Sequence, residues 1–298
     1  MARFKSELSW SVSRDRLFNE CRRAYYYNYY ASWGGWDKKS DEFTRKAYIL
    51  KNIRNIDAWI GDIVHQIIKW IISSKLYGNV VTLEDARKKS KQMLMRTWEQ
   101  SRSQEWKKKV KNNLNLFEHY YNCELEREVL MGKMQKVVNS LRNFYNSGLM
   151  EFFLKLPKEN FLTIDELDSF LFEGIKVFAV PDFAVRDEQY IIYDWKTGKP
   201  YDKDVFQLSF YKMYAESKWK ASPENIKLIP VYLGSEEVSL TPISAVPLEE
   251  IKSYIVNSIK DMKSVLYDIE NNLANIELCA KTENAWTCKR CKFQEICS

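Results

Sequence analysis

The stretch VFAVPDFAVRDEQYIIYDWK, Val177 to Lys196, decides how the rest of the chain is read. It holds two apolar runs, Val177-Phe178-Ala179-Val180 and Tyr190-Ile191-Ile192-Tyr193, rich in the β-branched and aromatic residues that favour strands. Asp182 closes the first run and Asp194 the second, with eleven residues between the two acids. Strand side chains alternate faces, so Asp194 and Lys196 share one face. Such a pair is commonly a surface ion pair. Here the neighbours Tyr190, Ile191, Ile192, Tyr193 and Trp195 mark the strand as buried, and charges at the end of a buried strand need partners or a task. If the two strands pair, Asp182 meets Asp194. Two converging carboxylates make a hard-oxygen cage for Mg²⁺ or Mn²⁺. Lys196 beside them can position a water or offset charge building on a phosphate. Those are the parts of phosphodiester hydrolysis, though two motifs this short also coincide by chance.

Outward from this stretch, the chain divides at Pro157, its first proline. The front half reads as helical. Ser11 or Ser13 caps a helix carrying Leu17, Cys21 and Ala24 on one face. A second helix covers about 56–76 and stops near Gly78. Helical patterns then run from 83 to about 154. Beyond Pro157 strands are expected at 162–168, at 170–185 as a bent strand or hairpin, and at 190–195. A helix follows at 204–219, capped by Asp202 or Asp204, then strands at 227–233 and 238–242, and a long helix at 248–275. A small mixed sheet flanked by helices places the chain in the α/β class, with α+β the near alternative. We read residues 1–298 as one domain, with 77–156 a helical insertion and 279–298 a cysteine-rich tail that closes onto the N-terminal helix.

Composition bounds the partners. No segment approaches the ~18 to 20 apolar residues of a membrane span, and the start lacks a signal-peptide apolar run, so a cytoplasmic location without membrane contact is expected. The net charge of +6 is mild, but Arg87 to Lys111 holds ten Lys/Arg against Glu99 and Glu105. Most of these fit a solvated helix face; the stripe would also attract a phosphate backbone and release its counterions. Six cysteines in a reducing compartment argue against disulfides. Cys123 and Cys279 stand alone and read as small buried hydrophobes. The tyrosines at 25, 26, 27, 29 and 30 could stack on bases, but core packing accounts for most of them more cheaply.

Three further features accompany the acids. His65, one of two histidines, follows Gly61-Asp62-Ile63-Val64 on the second helix; His119 reads as structural. Gln207 and Tyr211 lie four apart and share a helix face. Cys21 near the start joins Cys288, Cys291 and Cys297, a C-x2-C-x5-C group at the end. Spacing alone allows these four thiolates to hold zinc or a [4Fe–4S] cluster.

Together these motifs resemble the RecB-type exonuclease branch of the PD-(D/E)XK nucleases, a restriction-endonuclease-like fold. Within that branch they resemble the CRISPR-associated iron–sulfur exonuclease and the AddB nuclease domain. The resemblance covers about 9–76 and 160–298. It implies that His65, Asp182, Asp194 and the main-chain carbonyl of Trp195 bind Mg²⁺ or Mn²⁺. It implies that Lys196 is catalytic, that Gln207 and Tyr211 form a QxxxY motif, and that Cys21, Cys288, Cys291 and Cys297 hold a [4Fe–4S] cluster that staples the ends of the chain. Arg22 departs from the proline often found after the first cysteine, and Glu166 is a candidate further acid that an ion pair explains equally well.

The expected activity is a Mg²⁺- or Mn²⁺-dependent deoxyribonuclease, an exonuclease on single-stranded ends. Implied partners are single-stranded or duplex DNA ends, with a CRISPR integrase or a helicase subunit alongside. No P-loop pattern occurs, so the sequence supplies no motor of its own. Two rivals are a catalytically silent iron–sulfur scaffolding subunit and a zinc-ribbon-like interaction protein.

Overall fold

The computed structural model describes residues 6–200, 202–235 and 237–297. A two-residue strand β1 (Ser9–Trp10) leads into helices α1 (Val12–Glu20) and α2 (Arg22–Tyr26) and a π-helical turn at Tyr27–Ala31. Helices α3 (Glu42–Lys51), α4 (Ile56–Leu76), α5 (Leu83–Arg102), α6 (Phe117–Tyr120), α7 (Arg127–Asn146) and α8 (Leu149–Lys155) follow. Strands β2 (Phe161–Ile164), β3 (Asp168–Phe172), β4 (Ile175–Ala179), β5 (Phe183–Arg186) and β6 (Tyr190–Lys196) precede α9 (Asp202–Trp219) and β7 (Ile226–Tyr232). The chain closes with α10 (Leu248–Lys263), a hairpin β8 (Leu266–Asp268) and β9 (Leu273–Ala274), and α11 (Ala285–Lys289).

The central sheet has the order β2-β5-β6-β7, antiparallel except for the parallel β6–β7 pair. A second sheet, β1-β4-β3, lies beside it. This mixed α/β architecture has the expected class. Period-two alternation assigns the two faces of the central sheet. Phe183, Val185, Tyr193, Trp195 and Val231 join the isoleucines of α4 in one core, while Ala184, Ile192 and Leu228 join α9 and α10 in another. Helix α4 forms because Ile56, Trp59, Ile60, Ile63, Val64, Ile67, Ile68, Ile71 and Ile72 recur at helical spacing and are all buried, and because Asn55 caps its start by accepting from the Ala58 amide. The segment 77–156 does not sit apart from this core: Ala86, Leu94, Val137, Leu141, Phe144 and Phe153 pack into it. No helix among the described residues is long and apolar enough to cross a membrane.

Several element boundaries differ from expectation, each for a local reason. The expected 162–168 strand splits at Asp165, whose φ of 48° belongs to the left-handed region, and its two ends enter different sheets. The expected 170–185 strand is a β3–β4 hairpin turning at Glu173 and Gly174, both with positive φ, followed by a break before β5. Pro181 sits in that break and lacks the amide that would continue a ladder. The helix expected to reach 275 stops at Lys263, and the hairpin β8–β9 takes its place. No strand forms at 238–242. Ser11 is the cap of α1, but the helix breaks at Cys21, whose extended backbone (φ −163°) ends α1 and begins α2. Asp204 lies inside α9, not at its cap; residue 201 and the Asp202 side chain are outside the described residues.

Candidate active site

Register puts the two acids of the deciding stretch side by side. Phe183 pairs with Tyr193 in the antiparallel β5–β6 ladder, so Asp182, one residue before, comes level with Asp194, one residue after. Asp194 is 1% exposed and Asp182 8%, a depth at which carboxylates require partners. Asp182 has them. Its Oδ1 accepts from Nδ1 of His65 on α4 at 3.0 Å, and its Oδ2 accepts the Trp195 amide at 2.7 Å. For Asp194, Oδ1 accepts from Nε2 of Gln207 at 3.2 Å, while Oδ2 pairs with Nζ of Lys196 at 2.6 Å.

Helix α9 completes the arrangement from the same face of β6. Lys196 Nζ donates to Oε1 of Gln207 at 3.3 Å and stands 3.5 Å from Asp204. The Gln207 amide also donates to the Tyr211 hydroxyl at 3.3 Å, and that hydroxyl donates to the Val180 carbonyl at 2.8 Å. The four-residue spacing thus makes Gln207 and Tyr211 a brace between Lys196, Asp194 and the loop that carries Asp182. Trp195 points the other way, into the core beside Phe144 and Phe183. The structure therefore brings together His65, Asp182, Asp194, Lys196, Gln207 and Tyr211, with the Trp195 main chain tied to Asp182.

Charge in this pocket is out of balance. Burial, then the neighbouring charge of Asp182, pushes the Asp194 carboxyl up, against the pull of Lys196. Burial pulls the His65 imidazole down, but the charge and hydrogen bond of Asp182 outweigh it and lift the ring to about 9. Burial likewise opposes the Lys196 ammonium, and Asp194 and Asp204 more than restore it. Burial, with the nearby charges of Asp194 and Asp182, raises Tyr211, so it stays a neutral hydrogen-bonding group.

Four nearby groups were not picked out from the sequence. Asp165 holds its amide on the Asp182 carbonyl at 2.8 Å, and burial followed by the charges around it raises its carboxyl, Lys69 opposing. Lys69 donates to the Asp165 carbonyl at 2.5 Å and lies 3.5 Å from its carboxylate. Asp62 pairs with Arg54 at 2.5 Å, and Asp204 faces Lys196. The signals existed: Lys69 is one helical turn after His65, and Asp165 ends a strand just as Asp182 and Asp194 adjoin theirs. Glu166, the candidate further acid, is exposed; its neighbour Asp165 is the one turned toward the site.

Two carboxylates and an imidazole suit a hard divalent cation. Among the described residues no three His, Cys, Asp or Glu side chains converge tightly enough to hold a metal as they stand. His65 and Lys196 contact carboxylate oxygens that a metal would claim. The residues fit the ion through the buried like-charge pair Asp182 and Asp194, whose repulsion a cation would relieve.

The cysteines gather elsewhere. Cys21, Cys288, Cys291 and Cys297 all line one cavity of about 470 Å³ between the helix break and the tail. Main-chain amides approach two of the sulfurs: Ala24 donates to Cys21 Sγ and Phe293 to Cys291 Sγ, each at 3.4 Å. Burial first, and then the neighbouring thiols, push Cys291 and Cys297 up, against the Phe293 amide at Cys291 and the charges of Lys281 and Arg23 at Cys297. Four thiols are the donor type of a thiolate metal site; they share one cavity, but among the described residues no three of them converge on a common point as they stand. The tail is also bound directly: Arg23 donates its amide to the Ala280 carbonyl and its Nε to that of Cys279, and the Tyr27 hydroxyl donates to the Ile296 carbonyl. Of the remaining singled-out residues, Cys279 is buried, Cys123 is exposed rather than buried, and His119 bonds Ser101 and packs on Trp98. Tyr25 and Tyr27 are fully packed in the core.

The sequence profile of the PD-(D/E)XK nuclease superfamily matches residues 9–298. No curated protein matches the chain.

Proposed function

We propose, since the chain belongs to the PD-(D/E)XK nuclease superfamily of metal-dependent nucleases, that it is a RecB-type Mg²⁺- or Mn²⁺-dependent deoxyribonuclease, an exonuclease acting on single-stranded ends in the cytoplasm. The observation that carries this reading is the convergence of His65, Asp182 and Asp194 with Lys196 within contact of Asp194. His65, Asp182, Asp194 and the Trp195 carbonyl would hold the ion. When bound, the ion supplies Lewis-acid polarisation of the scissile phosphate and a more acidic water.

The chain's own residues do the rest. Lys196 presents a fixed positive charge where negative charge builds on the phosphate oxygens. Gln207 holds that ammonium and the Asp194 carboxylate in one orientation, and Tyr211 fixes Gln207 against the main chain of Val180. The Trp195 amide keeps Asp182 in one rotamer. By the same reading Cys21, Cys288, Cys291 and Cys297 hold a [4Fe–4S] cluster whose role is structural, joining the first helices to the tail, and 77–156 is a helical insertion that grips DNA. A CRISPR integrase or a helicase subunit is the partner class this reading implies.

The test is cleavage of end-labelled single-stranded and duplex DNA with Mn²⁺ by the wild type and by Asp194→Ala. Loss of cleavage to background in the variant, with an unchanged circular dichroism spectrum, is the expected result; undiminished cleavage overturns the assignment.

A further inference from the structure

Beside the metal-site helix lies a polar groove of about 910 Å³ whose walls come from three distant parts of the chain. Lys51 and Arg54 line it ahead of α4, Arg96 and Lys111 come from the basic stretch, and Arg290 and Lys292 come from the tail. Asp62 is the acid in its lining, and Arg54 neutralises it at 2.5 Å. Lys51, Arg96, Lys111, Arg290 and Lys292 have no carboxylate partner among the described residues. Ordinary surface lysines would diverge into solvent; here Lys51 and Lys292 are held in the wall. Lys292 Nζ donates to the Lys51 carbonyl at 2.6 Å, and burial followed by the charges of Arg14 and Lys111 presses the Lys51 amine down to about 8. Five cations that line one groove without carboxylate partners repel one another, and a concave surface concentrates their field. That cost is relieved by a polyanion laid along the groove. Asp62 links the groove to the site already described, since it lines the groove and lies one helical turn before His65 on α4, within reach of its charge.

We propose that this groove seats the phosphodiester backbone of the DNA strand adjoining the scissile bond, with Arg96 and Lys111 as its outer phosphate contacts. The inference rests on the nuclease reading of the His65–Asp182–Asp194 site and adds to it the path of the substrate. It also gives the basic stretch a use: of its ten cations, Arg96 and Lys111 line the groove.

The experiment measures binding apart from cleavage. Fluorescence anisotropy of a labelled single-stranded oligonucleotide is recorded against the full chain in EDTA over a range of salt. Each phosphate contact contributes ~0.7 to the slope of log affinity against log salt for single strands, so one lost contact weakens binding about fourfold at ~0.15 M salt. Arg96→Gln and Lys111→Gln should each show that loss of slope and affinity, and the double variant should be weakened about fifteenfold, with Tm unchanged because both side chains are exposed. Lys260→Gln, on α10 outside the groove, should bind as wild type. In the wild type, DNA should also protect Lys111 from an amine-reactive reagent. A double variant that keeps wild-type affinity and slope overturns the proposal, and if the wild type still cleaves DNA the nuclease reading survives that failure. Groove-dependent binding by a protein that never cleaves DNA leaves the groove standing and sinks the nuclease reading.

Discussion

Replacing Lys196 by Met separates what its ammonium does for the fold from what it does for chemistry. The methionine keeps the length of the stem and removes the charge. Asp194 is 1% exposed, and Lys196 at 2.6 Å is the cation in contact with it. Deleting one partner of a buried pair leaves an uncompensated charge, a loss of ~3 to 5 kcal/mol. Both side chains are well covered, 2% and 18% exposed, so solvent screening takes little of this away. For a chain of this size ~2 °C of Tm accompanies each kcal/mol, giving a fall of roughly 6 to 10 °C in EDTA. Mn²⁺ should then recover most of that fall, because a cation shared by Asp182 and Asp194 replaces the missing positive charge. Cleavage should not recover. A fixed charge aimed at the transition state contributes about 10² to 10³ in rate, and an ion bound in the ground state does not substitute for it. Differential scanning fluorimetry with and without Mn²⁺, paired with single-turnover cleavage at saturating DNA, reads both quantities. Equal destabilisation in EDTA and in Mn²⁺ would show that the acids do not take the ion. Wild-type cleavage by the variant would remove Lys196 from the chemistry.

Other perturbations probe separate supports. A Cβ at Gly234 would lie 2.4 Å from the Thr197 carbonyl, so Gly234→Ala must push the turn after β7 away from the end of β6; stability should drop, and kcat should fall more than DNA affinity. Cys291→Ser should lower Tm by several degrees and release iron and sulfide together; colourless protein with stoichiometric zinc in the wild type would refute the cluster. In EDTA the His65–Asp182 pair should make stability pH-dependent. The folded imidazole is raised to about 9 from 6.5, so its contribution, about 3 kcal/mol, is full below pH ~6.5 and is lost as pH rises through about 9. Urea melts across that window should show the decline in the wild type and its absence in His65→Ala.

Much of the site was legible because strand chemistry is local. Alternation alone put Asp194 and Lys196 on one face, and four-residue spacing alone put Gln207 with Tyr211. What the sequence could not give was pairing across distance. Nothing local shows that α4 brings Lys69 to Asp165, or that a positive φ at Asp165 turns that acid inward and its neighbour Glu166 out. Cys21 shows the same limit from another side. Periodicity placed it on a continuous helix, yet its sulfur takes the role of an N-cap, accepting the Ala24 amide, and the helix breaks there. Thiols seldom cap helices, so propensity carried no warning.

The segment 77–156 lies within the residues that the superfamily profile matches, and the site leans on it. Strand β6 has two faces. Even positions 192, 194 and 196 face α9, and odd positions Tyr193 and Trp195 face the core. On that core face Phe153 of α8 packs edge-on against Tyr193 and Phe183, at 5.5 and 4.7 Å, and Phe144 of α7 packs edge-on against Trp195 at 5.6 Å. Each such contact adds ~0.5 to 1.5 kcal/mol beyond area burial, and each fixes a rotamer on the strand that carries Asp194. The Trp195 amide in turn holds Asp182. A chain of contacts therefore runs from α7 and α8 through Trp195 to Asp182 and Asp194. Phe144→Ala should act on it without touching any reacting group. The cavity it leaves costs ~3 to 5 kcal/mol, and the loosened strand should lower kcat while leaving the groove's salt dependence unchanged. A Phe144→Ala protein that is destabilised but turns over as wild type would show that the strand holds its register without help from this segment.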